Sequence, residues 1–492
     1  MRTSDAVYAN LREFVDALRK SEELVEVSAP VDPHLEIAEI ADRCVKSASG
    51  GPALLFTNPR GSNIPVLINT FATRKRMAAG LGVSDLDELG GKIRRLLKLA
   101  GPSGGSKLSM LFELKDLAGI FPKAVNRAAC QEVVLEGDAV DLFTLPIITS
   151  WPKDGGPFIT FPLVFTKQPG SEAQNVGVYR MQVYDGQTTG MHWQRHKHGR
   201  EHQASSGARM PVAVAIGADP AIAYAATAPA PAGVDEMLLA GFLRGASVPM
   251  VACKTVDLKV PAEAEIVLEG YVDNSELRPE GPFGDHTGVY TPVEDFPVFH
   301  VTCMTHRRNP IYMTTIVGKP PMEDQWLGKA TERLFLPLLQ QMLPEVVDYN
   351  LPVEGGFHNL AIVSVRKHYP GQAKKVMYAL WGLGHMMMLT RNIIVVDAGV
   401  DVQDVREVAW VTLNNVDAGR DLVYAPGPVD HLDHAGPLPL LGTKLGIDAT
   451  KKGIEEGYVR QWPEQIEMTD EVKATVARRW QEYGLTGVVD AG

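Results

Sequence analysis

The order of strand-like and helical patterns along the chain restricts its fold more than any other feature. From about residue 120 to 315, short apolar segments such as 161–165 and 212–216 are divided by Pro- and Gly-rich loops, a pattern typical of an all-β domain. The regions before and after it alternate helical and strand patterns, as α/β domains do. The sequence therefore predicts a mixed α/β protein with a β-rich unit in its centre.

The first unit is predicted to span residues 1–118 and to be α/β. The apolar residues that recur at i, i+3, i+4 and i+7 near its start are Leu11, Phe14, Val15 and Leu18. That spacing predicts a helix. Apolar runs at 53–56 and 66–69 predict buried strands, and 86–100 predicts a further helix. The Gly/Ser/Pro stretch at 101–105 is typical of a linker.

The two remaining units are predicted at 119–318 and 319–492. The central unit is all-β except for one helix inserted around 234–243. The last unit returns to an α/β pattern. Its predicted elements are strands at 360–365 and 393–396, helices at 371–383 and 402–415, and a charged terminal helix at 470–483.

The charge balance and the cysteines exclude several classes of protein. The 492 residues include 48 Lys and Arg against 59 Asp and Glu, a net charge of −11, which argues against a general nucleic-acid binder because phosphate neutralisation needs a basic surface. The four cysteines form no C-x-x-C pair, so neither a disulfide framework nor a zinc ribbon is expected, as in a cytoplasmic protein. Prolines and acidic residues interrupt the most apolar region, 210–243, so we expect no membrane span.

The densest polar cluster lies in two segments, 175–180 and 190–200, on either side of a predicted turn at Asp185-Gly186. A hairpin there would bring Arg180 and the basic residues to one edge of a sheet. Four histidines follow within eleven residues: His192, His196, His198 and His202. Their i, i+4 pairs favour a metal or phosphate site, and a solvated basic loop explains the same residues equally well.

A second cluster places Glu280, Asp285 and His286 in a Gly- and Pro-rich loop. Such a loop can direct both carboxylates into one cleft, where burial and mutual repulsion raise the pKa of one and make it a proton donor. The alternative is a solvent-facing acidic turn. Glu236, near the start of an apolar helix, is a third candidate, either as a partner of the helix dipole or as an oxygen ligand for a hard cation.

Five sequence segments carry a resemblance to a known family. They are LPI…WPKDGGPFIT at 145–160, NVGVYR at 175–180, PEGPFGDHTG at 279–288, GKPPMED at 318–324 and GTKLGIDAT at 442–450. Together they resemble the UbiD decarboxylases, carboxy-lyases that depend on prenylated FMN, over nearly the whole chain and in the family's order. The resemblance implies that residues 119–318 form a split β-barrel that binds the flavin, between two α/β domains.

The resemblance also implies roles for individual residues. It assigns Asn175, His196 and Glu236 to a divalent cation, usually manganese, that meets the cofactor phosphate, with a potassium ion nearby. It assigns Arg180, Glu280 and Asp285 to the reacting centre. The residues that it places around the flavin are Asn175, Val178, Tyr179, Arg180, His192, Trp193, Gln194, Arg195, His196, Lys197, His198, Glu236 and Arg391.

The implied reaction is the reversible, non-oxidative decarboxylation of an aromatic or α,β-unsaturated carboxylic acid, with a hydroxybenzoate-type acid as the preferred substrate. Loss of CO₂ from an sp² carbon leaves an unstabilised carbanion, so a cofactor is required as electron sink because no side chain offers one. Asp285 would then return a proton to that carbon. We expect burial and Glu280 to raise the pKa of Asp285 for this purpose.

Three alternative functions stay open at this point, and the resemblance also implies partners. The alternatives are a quinone-pathway decarboxylase acting on a polyprenyl-hydroxybenzoate or a naphthoate, a non-catalytic flavin-binding homologue, and a zinc hydrolase built on the histidines. The expected partners are a flavin prenyltransferase that supplies the cofactor and further copies of the chain, in a homodimer or a homohexamer.

Overall fold

The computed structural model describes residues 8–100, 119–193, 207–229, 235–384 and 386–484. Over these residues the chain is mixed α/β, as the sequence predicts. All four cysteines are free thiols. No helix in this part of the chain is long and apolar enough to cross a lipid bilayer.

The N-terminal elements are α1 (Leu11–Lys20), β1 (Leu24–Val27), α2 (Glu36–Val45), β2 (Ala53–Phe56), β3 (Val66–Ile68), α3 (Arg74–Gly80) and α4 (Glu88–Ala100). Strand β1 is parallel to β2, which is antiparallel to β3. The predicted first helix is confirmed, because its four apolar residues are buried and the Asn10 side chain caps it by accepting a hydrogen bond from the Glu13 N–H at 3.0 Å. The linker predicted at 101–105 lies outside the described residues.

The central unit is built around one antiparallel sheet. Its elements are β4 (Lys123–Val125), β5 (Val133–Glu136), β6 (Phe158–Ile159), β7 (Leu163–Lys167), β8 (Gln174–Val178), β9 (Met181–Gln182), β10 (Thr188–Gly190), β11 (Arg209–Ile216), α5 (Pro220–Ala225), α6 (Glu236–Arg244), β12 (Pro249–Ala252), β13 (Lys259–Pro261), β14 (Ile266–Glu280), β15 (Phe283–Gly284), β16 (Tyr290–Thr291), β17 (Glu294–His306) and β18 (Tyr312–Met313). The main sheet has the order β10-β17-β14-β11-β7-β8, and β5 also pairs with β17. The helix predicted around 234–243 is confirmed as α6. Strand β18 leaves this unit and pairs with β3.

Both faces of the main sheet are buried. Successive strand residues point to opposite faces. Val212 and Val214 of β11 therefore belong to an apolar core shared with α2, whereas Ala213 and Ala215 belong to a second core shared with α1, α5 and α6. Helices cover the sheet, and the polar clusters lie in the loops at strand ends.

The C-terminal elements are α7 (Asp324–Met342), β19 (Val346–Asn350), β20 (Leu360–Val365), α8 (Gln372–Gly382), α9 (Met386–Leu389), β21 (Asn392–Asp397), α10 (Val405–Asn415), β22 (Leu422–Pro428), β23 (Leu441–Asp448) and α11 (Asp470–Arg478). Their sheet has the order β19-β20-β21-β23-β22, with β20, β21 and β23 parallel. The two predicted strands are confirmed as β20 and β21.

Two predicted helices of this unit are shorter in the structure. Helix α10 begins at Val405 rather than 402, because the Asp404 side chain accepts hydrogen bonds from the N–H groups of Arg406 and Glu407 and so caps the helix. Helix α11 ends at Arg478, and a short 3₁₀ segment covers Trp480–Tyr483. The domain boundaries at 118 and 318 stay predictions.

Candidate functional site

Arg180 lies between two buried carboxylates at one end of the main sheet. It follows β8, Glu280 is the last residue of β14, and Asp285 directly follows β15. Arg180 Nε and Nη2 donate to Glu280 Oε1 and Oε2 at 2.8 and 3.1 Å, and Nη1 donates to Asp285 Oδ2 at 2.5 Å. The structure thus brings together the three residues predicted for the reacting centre, although 100 and 105 positions separate the acids from the arginine.

Further contacts hold the guanidinium group of Arg180. Its Nη2 also donates to Thr291 Oγ1 at 3.1 Å, and the group lies 4.5 Å from the ring centroid of Phe283. An arginine has five N–H groups, and these hydrogen bonds use four of them. Within the described part of the chain, one N–H on Nη1 has no acceptor, so the guanidinium group can take one further anionic or carbonyl oxygen.

Two glycine-rich loops fix the positions of the carboxylates. Asp154 Oδ1 accepts a hydrogen bond from the Gly284 N–H at 2.8 Å. Gln182 joins the same loops, because it accepts from the Gly281 N–H at 2.7 Å and donates to the Gly155 carbonyl at 2.8 Å. A Cβ at Gly155 would collide with the carbonyl oxygen of Gly281, so only glycine allows the loops to approach this closely.

Both carboxylates are ionised in this arrangement. Burial alone would raise the pKa of Glu280, but hydrogen bonds from His192 and Arg180 outweigh it and lower that pKa to about 2. Burial would also raise the pKa of Asp285, but His286 and Arg180 hold it well below its ordinary range. This corrects the expectation that burial and Glu280 raise the pKa of Asp285, because Arg180 and His286 contact its two oxygens and lower that pKa.

Two histidines continue the cluster beyond Asp285. His286 Nδ1 lies 2.8 Å from Asp285 Oδ1, and His286 Nε2 lies 2.8 Å from His358 Nε2. Burial would lower the pKa of His286, but Asp285 outweighs it and raises that pKa. Burial and the charge of His286 lower the pKa of His358 to about 4. Sequence reasoning missed His358, which lies 72 positions from His286 in a loop without a recognisable motif.

Several residues predicted to contact the flavin lie beside the arginine. His192 Nδ1 is 3.1 Å from Glu280 Oε2, and burial lowers the pKa of His192. The rings of Tyr179 and Trp193 meet edge to face with centroids 4.9 Å apart, next to the half-buried Val178 at the end of β8. Trp193 Nε1 is buried and has no hydrogen-bond partner among the described residues, so this donor fits a polar group of a cofactor. The predicted contacts Gln194, Arg195, His196, Lys197 and His198 lie outside the described residues.

Asn175 and Glu236 lie towards the other end of β8. Glu236 is the first residue of α6, and its Oε2 accepts a hydrogen bond from the Val176 N–H at 3.3 Å. Burial raises the pKa of Glu236 to about 7. Asn175 and Glu236 both line a cavity of about 180 Å³. A buried carboxyl group and an amide oxygen are donors that hard divalent cations take, so these two residues fit the predicted cation.

His196, the third residue that the resemblance assigns to the cation, lies outside the described residues. Among the described residues, no group of three or more His, Cys, Asp or Glu side chains is arranged to hold a metal ion. Asn175 is the second residue of β8, and Arg180 lies two residues beyond the last residue of that strand. The candidate cation ligands therefore lie towards one end of β8, and Arg180 lies just past the other end.

Arg391, a further predicted flavin contact, is paired within the C-terminal unit. Its Nη1 donates to Asp433 Oδ1 and Oδ2 at 2.5 and 2.7 Å. The charge of Asp433 also acts on the pKa of His358. Arg391 is thus paired with Asp433 and makes no direct hydrogen bond to Glu280 or Asp285.

Three family models match the chain, one after another. The N-terminal domain of 3-octaprenyl-4-hydroxybenzoate carboxy-lyase matches residues 15–93, its Rift-related domain matches 123–320, and its C-terminal domain matches 325–449. The chain is 55% identical over 480 residues to an uncharacterized protein of Archaeoglobus fulgidus, with 96% of this chain and 98% of the relative covered. It is 50% identical to an uncharacterized protein of Aquifex aeolicus, with 97% and 99% covered.

Two solved structures of enzymes have a similar fold. The UbiD-class enzyme HmfF from Pelotomaculum thermopropionicum, in complex with FMN, has a TM-score of 0.79 and 29% identity, with 94% of this chain and 98% of that chain covered. Vanillic acid decarboxylase of Sedimentibacter hydroxybenzoicus in its closed form has a TM-score of 0.82 and 27% identity, with 99% and 100% covered. Both likenesses extend over all three parts of the chain.

Proposed function

The chain belongs to the UbiD family of carboxy-lyases, and from this membership we propose that it catalyses the reversible, non-oxidative decarboxylation of an aromatic or α,β-unsaturated acid. That the protein is a carboxylic acid decarboxylase follows from the family and from its flavin-bound structural relatives. The class of acid is our proposal. A hydroxybenzoate-type acid is the preferred substrate, and the likeness to a vanillic acid decarboxylase supports it.

The observation that carries the proposal is the position of Arg180 between Glu280 and Asp285. Decarboxylation needs a cation that binds the substrate carboxylate and an acid that returns a proton to the same carbon. Among the described residues, one N–H of Arg180 Nη1 has no acceptor and can bind the carboxylate, and the other N–H of the same nitrogen donates to Asp285. The two hydrogen bonds from Arg180 to Glu280 keep the plane of the guanidinium group fixed while the substrate binds.

Prenylated FMN, when bound, supplies the electron sink that amino-acid side chains lack. We propose that Asn175, His196 and Glu236 hold its phosphate through Mn²⁺ or another divalent cation, with K⁺ nearby. The buried carboxyl group of Glu236 and the buried indole N–H of Trp193 support this placement. The other residues proposed to line the cofactor are Val178, Tyr179, Arg180, His192, Gln194, Arg195, Lys197, His198 and Arg391.

Substrate binding changes the charges around Asp285. In the free protein, His286 and Arg180 lower the pKa of Asp285 against the effect of burial. A substrate carboxylate at Arg180 adds a negative charge beside Asp285 and shares its arginine, and both effects raise the pKa of Asp285. Asp285 thereby becomes a stronger base when a proton has to be taken up and passed to the substrate carbon.

A second candidate is a decarboxylase of quinone biosynthesis that acts on a polyprenyl-hydroxybenzoate or a naphthoate. The descriptions of the three matching family models favour this candidate. A non-catalytic homologue would have no need to keep Arg180, Glu280 and Asp285 in mutual contact. We further propose that the enzyme is cytoplasmic, forms a homodimer or a homohexamer, and receives its cofactor from a flavin prenyltransferase.

The experiment is anaerobic purification after co-expression with a flavin prenyltransferase, followed by mass spectrometry of the released cofactor and metal analysis. The protein is then incubated with hydroxybenzoates, cinnamic-type acids and naphthoates, and the decarboxylated products are quantified. We expect near-stoichiometric prenylated FMN with manganese and turnover of a hydroxybenzoate. The Asp285→Asn variant is the matched control, since it should keep the flavin and lose turnover. A folded wild-type protein with neither flavin nor turnover would contradict the proposal.

A further inference from the structure

We propose that His286 is the proton source from which Asp285 is protonated in each turnover, and that His358 positions the His286 ring for this transfer. The inference rests on the proposed decarboxylation and adds to it the residues that supply the proton. Both histidines are in place without any cofactor or substrate.

The decarboxylation consumes a proton, and a group near Asp285 has to supply it. A substrate carboxylate loses neutral CO₂, and the electron pair left behind ends in a new C–H bond, so each turnover consumes one proton. Asp285 does not hold that proton in advance, because His286 and Arg180 keep it ionised in the free protein. A group in direct contact with Asp285 therefore has to hold it.

His286 meets this requirement by its contacts. Its Nδ1 lies 2.8 Å from Asp285 Oδ1, while Asp285 Oδ2 accepts from Arg180 Nη1 at 2.5 Å. An ionised carboxylate only accepts hydrogen bonds, so the Nδ1 of His286 carries a proton. The two oxygens of Asp285 thus connect the histidine on one side with the reacting arginine on the other.

His358 contacts the ring nitrogen of His286 that faces away from Asp285, and this contact orients the ring. The two Nε2 atoms lie 2.8 Å apart, so one donates and the other accepts. Burial and the neighbouring His286 make His358 the weaker base, and it is therefore the neutral acceptor. His286 then carries a proton on both nitrogens and is a buried imidazolium ion paired with Asp285.

Other charged groups face His286 from the elements packed against it. Asp324 lies at the start of α7, and Asp430 lies in the loop between β22 and β23. Burial raises the pKa of Asp324 to about 7, so near neutral pH it carries only part of a charge. Asp285 is the anion in direct contact, and it stabilises the extra proton of His286 on the side of the reacting centre.

The loop that carries His358 has a strained backbone. Phe357 has a φ of 49°, in the left-handed region that bulky residues avoid. Its ring stacks on His286 with centroids 5.2 Å apart. Helix α7 leaves room for this ring at Gly328, where a Cβ would lie 3.0 Å from the Phe357 Cβ. The strained conformation thus holds both Phe357 and His358 against His286.

The proposed step balances without any further reactant. The Nδ1–H bond of His286 breaks as an O–H bond forms on Asp285, and that O–H bond breaks as the C–H bond of the product forms. Asp285 is again ionised, and His286 is neutral with its remaining proton on Nε2, facing His358. Solvent returns a proton to His286 after the product leaves. In the carboxylation direction the same proton moves from carbon to His286.

The kinetic test uses the flavin-loaded enzyme with the variants His286→Gln and His358→Gln. The control is His300→Gln, because His300 bonds to Glu276 at 2.7 Å and makes no contact with Asp285. We expect kcat to fall at least roughly tenfold in both variants, as for loss of a proton-transfer group, with KM and flavin content unchanged. The loss of wild-type activity at high pH, where His286 gives up its proton, should disappear from the pH profile of His286→Gln. A kcat and a pH profile equal to wild type in both variants would overturn the proposal.

A second readout needs no turnover. In protein with ¹⁵N-labelled histidine, the signal that is absent from His286→Gln identifies His286, and its nitrogen shifts report its charge. We expect an imidazolium ion at neutral pH that becomes neutral in Asp285→Asn. A neutral His286 in the wild-type protein would overturn the proposal. An imidazolium ion in a wild-type protein that turns over no acid would instead show that the proposed function fails while the proton-holding pair exists.

Discussion

The substitution Gly284→Ala tests whether the loop packing seen in the structure positions the reacting acid. Gly284 lies in β15 directly before Asp285, and its N–H donates to Asp154 Oδ1 at 2.8 Å. A Cβ at Gly284 would collide with Cδ1 of Trp151 and lie 2.8 and 2.9 Å from its Cγ and Nε1. The indole ring has to move, because these atoms belong to a rigid ring rather than to the end of a flexible side chain.

The expected loss of stability follows from the contacts that the indole ring of Trp151 loses when it moves. Overpacking by one methyl group costs about 1–3 kcal/mol. Displacing Trp151 also breaks the hydrogen bond from its Nε1 to the Val317 carbonyl, 2.8 Å long, worth about 1 kcal/mol. We therefore expect Gly284→Ala to lower the free energy of unfolding by about 2–4 kcal/mol. If the loop yields instead and moves Asp285 by about 1 Å, kcat falls roughly 100-fold.

Urea unfolding and kcat of the flavin-loaded enzyme measure both effects. Gly399→Ala is the control, since a Cβ at the exposed Gly399 meets no atom within 4 Å. The substitution Gly284→Ala in a Trp151→Ala background should cost less than about 0.5 kcal/mol, because the colliding ring is gone. An unfolding free energy and a kcat equal to wild type for Gly284→Ala would refute the role assigned to this contact.

Three further predictions address charge, proton transfer and metal. Glu280→Gln should lower the free energy of unfolding by about 3.5 kcal/mol at pH 7, because folding lowers the pKa of Glu280 from 4.5 to about 2 and each pKa unit corresponds to ~1.4 kcal/mol. This stabilisation is present above pH 4.5 and is lost as the pH falls towards 2, so in urea unfolding at a series of pH values the variant should approach wild type under acid conditions. Asp285→Asn should lower kcat by roughly 10²–10⁴-fold while mass spectrometry still finds the flavin, and wild-type turnover would remove Asp285 from the proton-donor role. Glu236→Ala should lose manganese and flavin together in metal analysis and mass spectrometry, whereas Glu172→Ala, at the same cavity, should keep both.

The sequence was sufficient to predict the mixed α/β fold class and several of its helices and strands, because those signals are local. The period of apolar residues predicts α1, and the apolar runs predict β20 and β21. Glu280 and Asp285 lie within one short segment, so their proximity could be expected. The meeting of these acids with Arg180 could not be derived from spacing, because it depends on the order β14-β11-β7-β8 in the main sheet.

There is a physical reason why the charge state of Asp285 could not be predicted from the sequence. Two acids in one loop indicate mutual repulsion, which raises a pKa. In the folded protein Arg180 and His286 contact opposite oxygens of Asp285, and their attraction decides the direction. His358 contacts His286 from a loop next to a different sheet, so no sequence pattern near Asp285 indicates this contact. The pKa of Asp285 thus depends on contacts between residues that lie far apart in the sequence, and composition does not reveal those contacts.

In the proposed mechanism, the same charges allow the centre both to bind an acid and to return a proton. With His286 as the proposed imidazolium ion, Arg180 and His286 balance the anions Glu280 and Asp285, so these four buried groups carry no net charge in the free protein. A substrate carboxylate adds one negative charge, and proton transfer from His286 to Asp285 removes an ionised carboxylate from beside it. Departure of neutral CO₂ leaves the added negative charge in the site, and transfer of the proton from Asp285 to the substrate carbon places that charge on Asp285. Solvent then restores the proton of His286, and the cluster returns to zero net charge only when the turnover is complete.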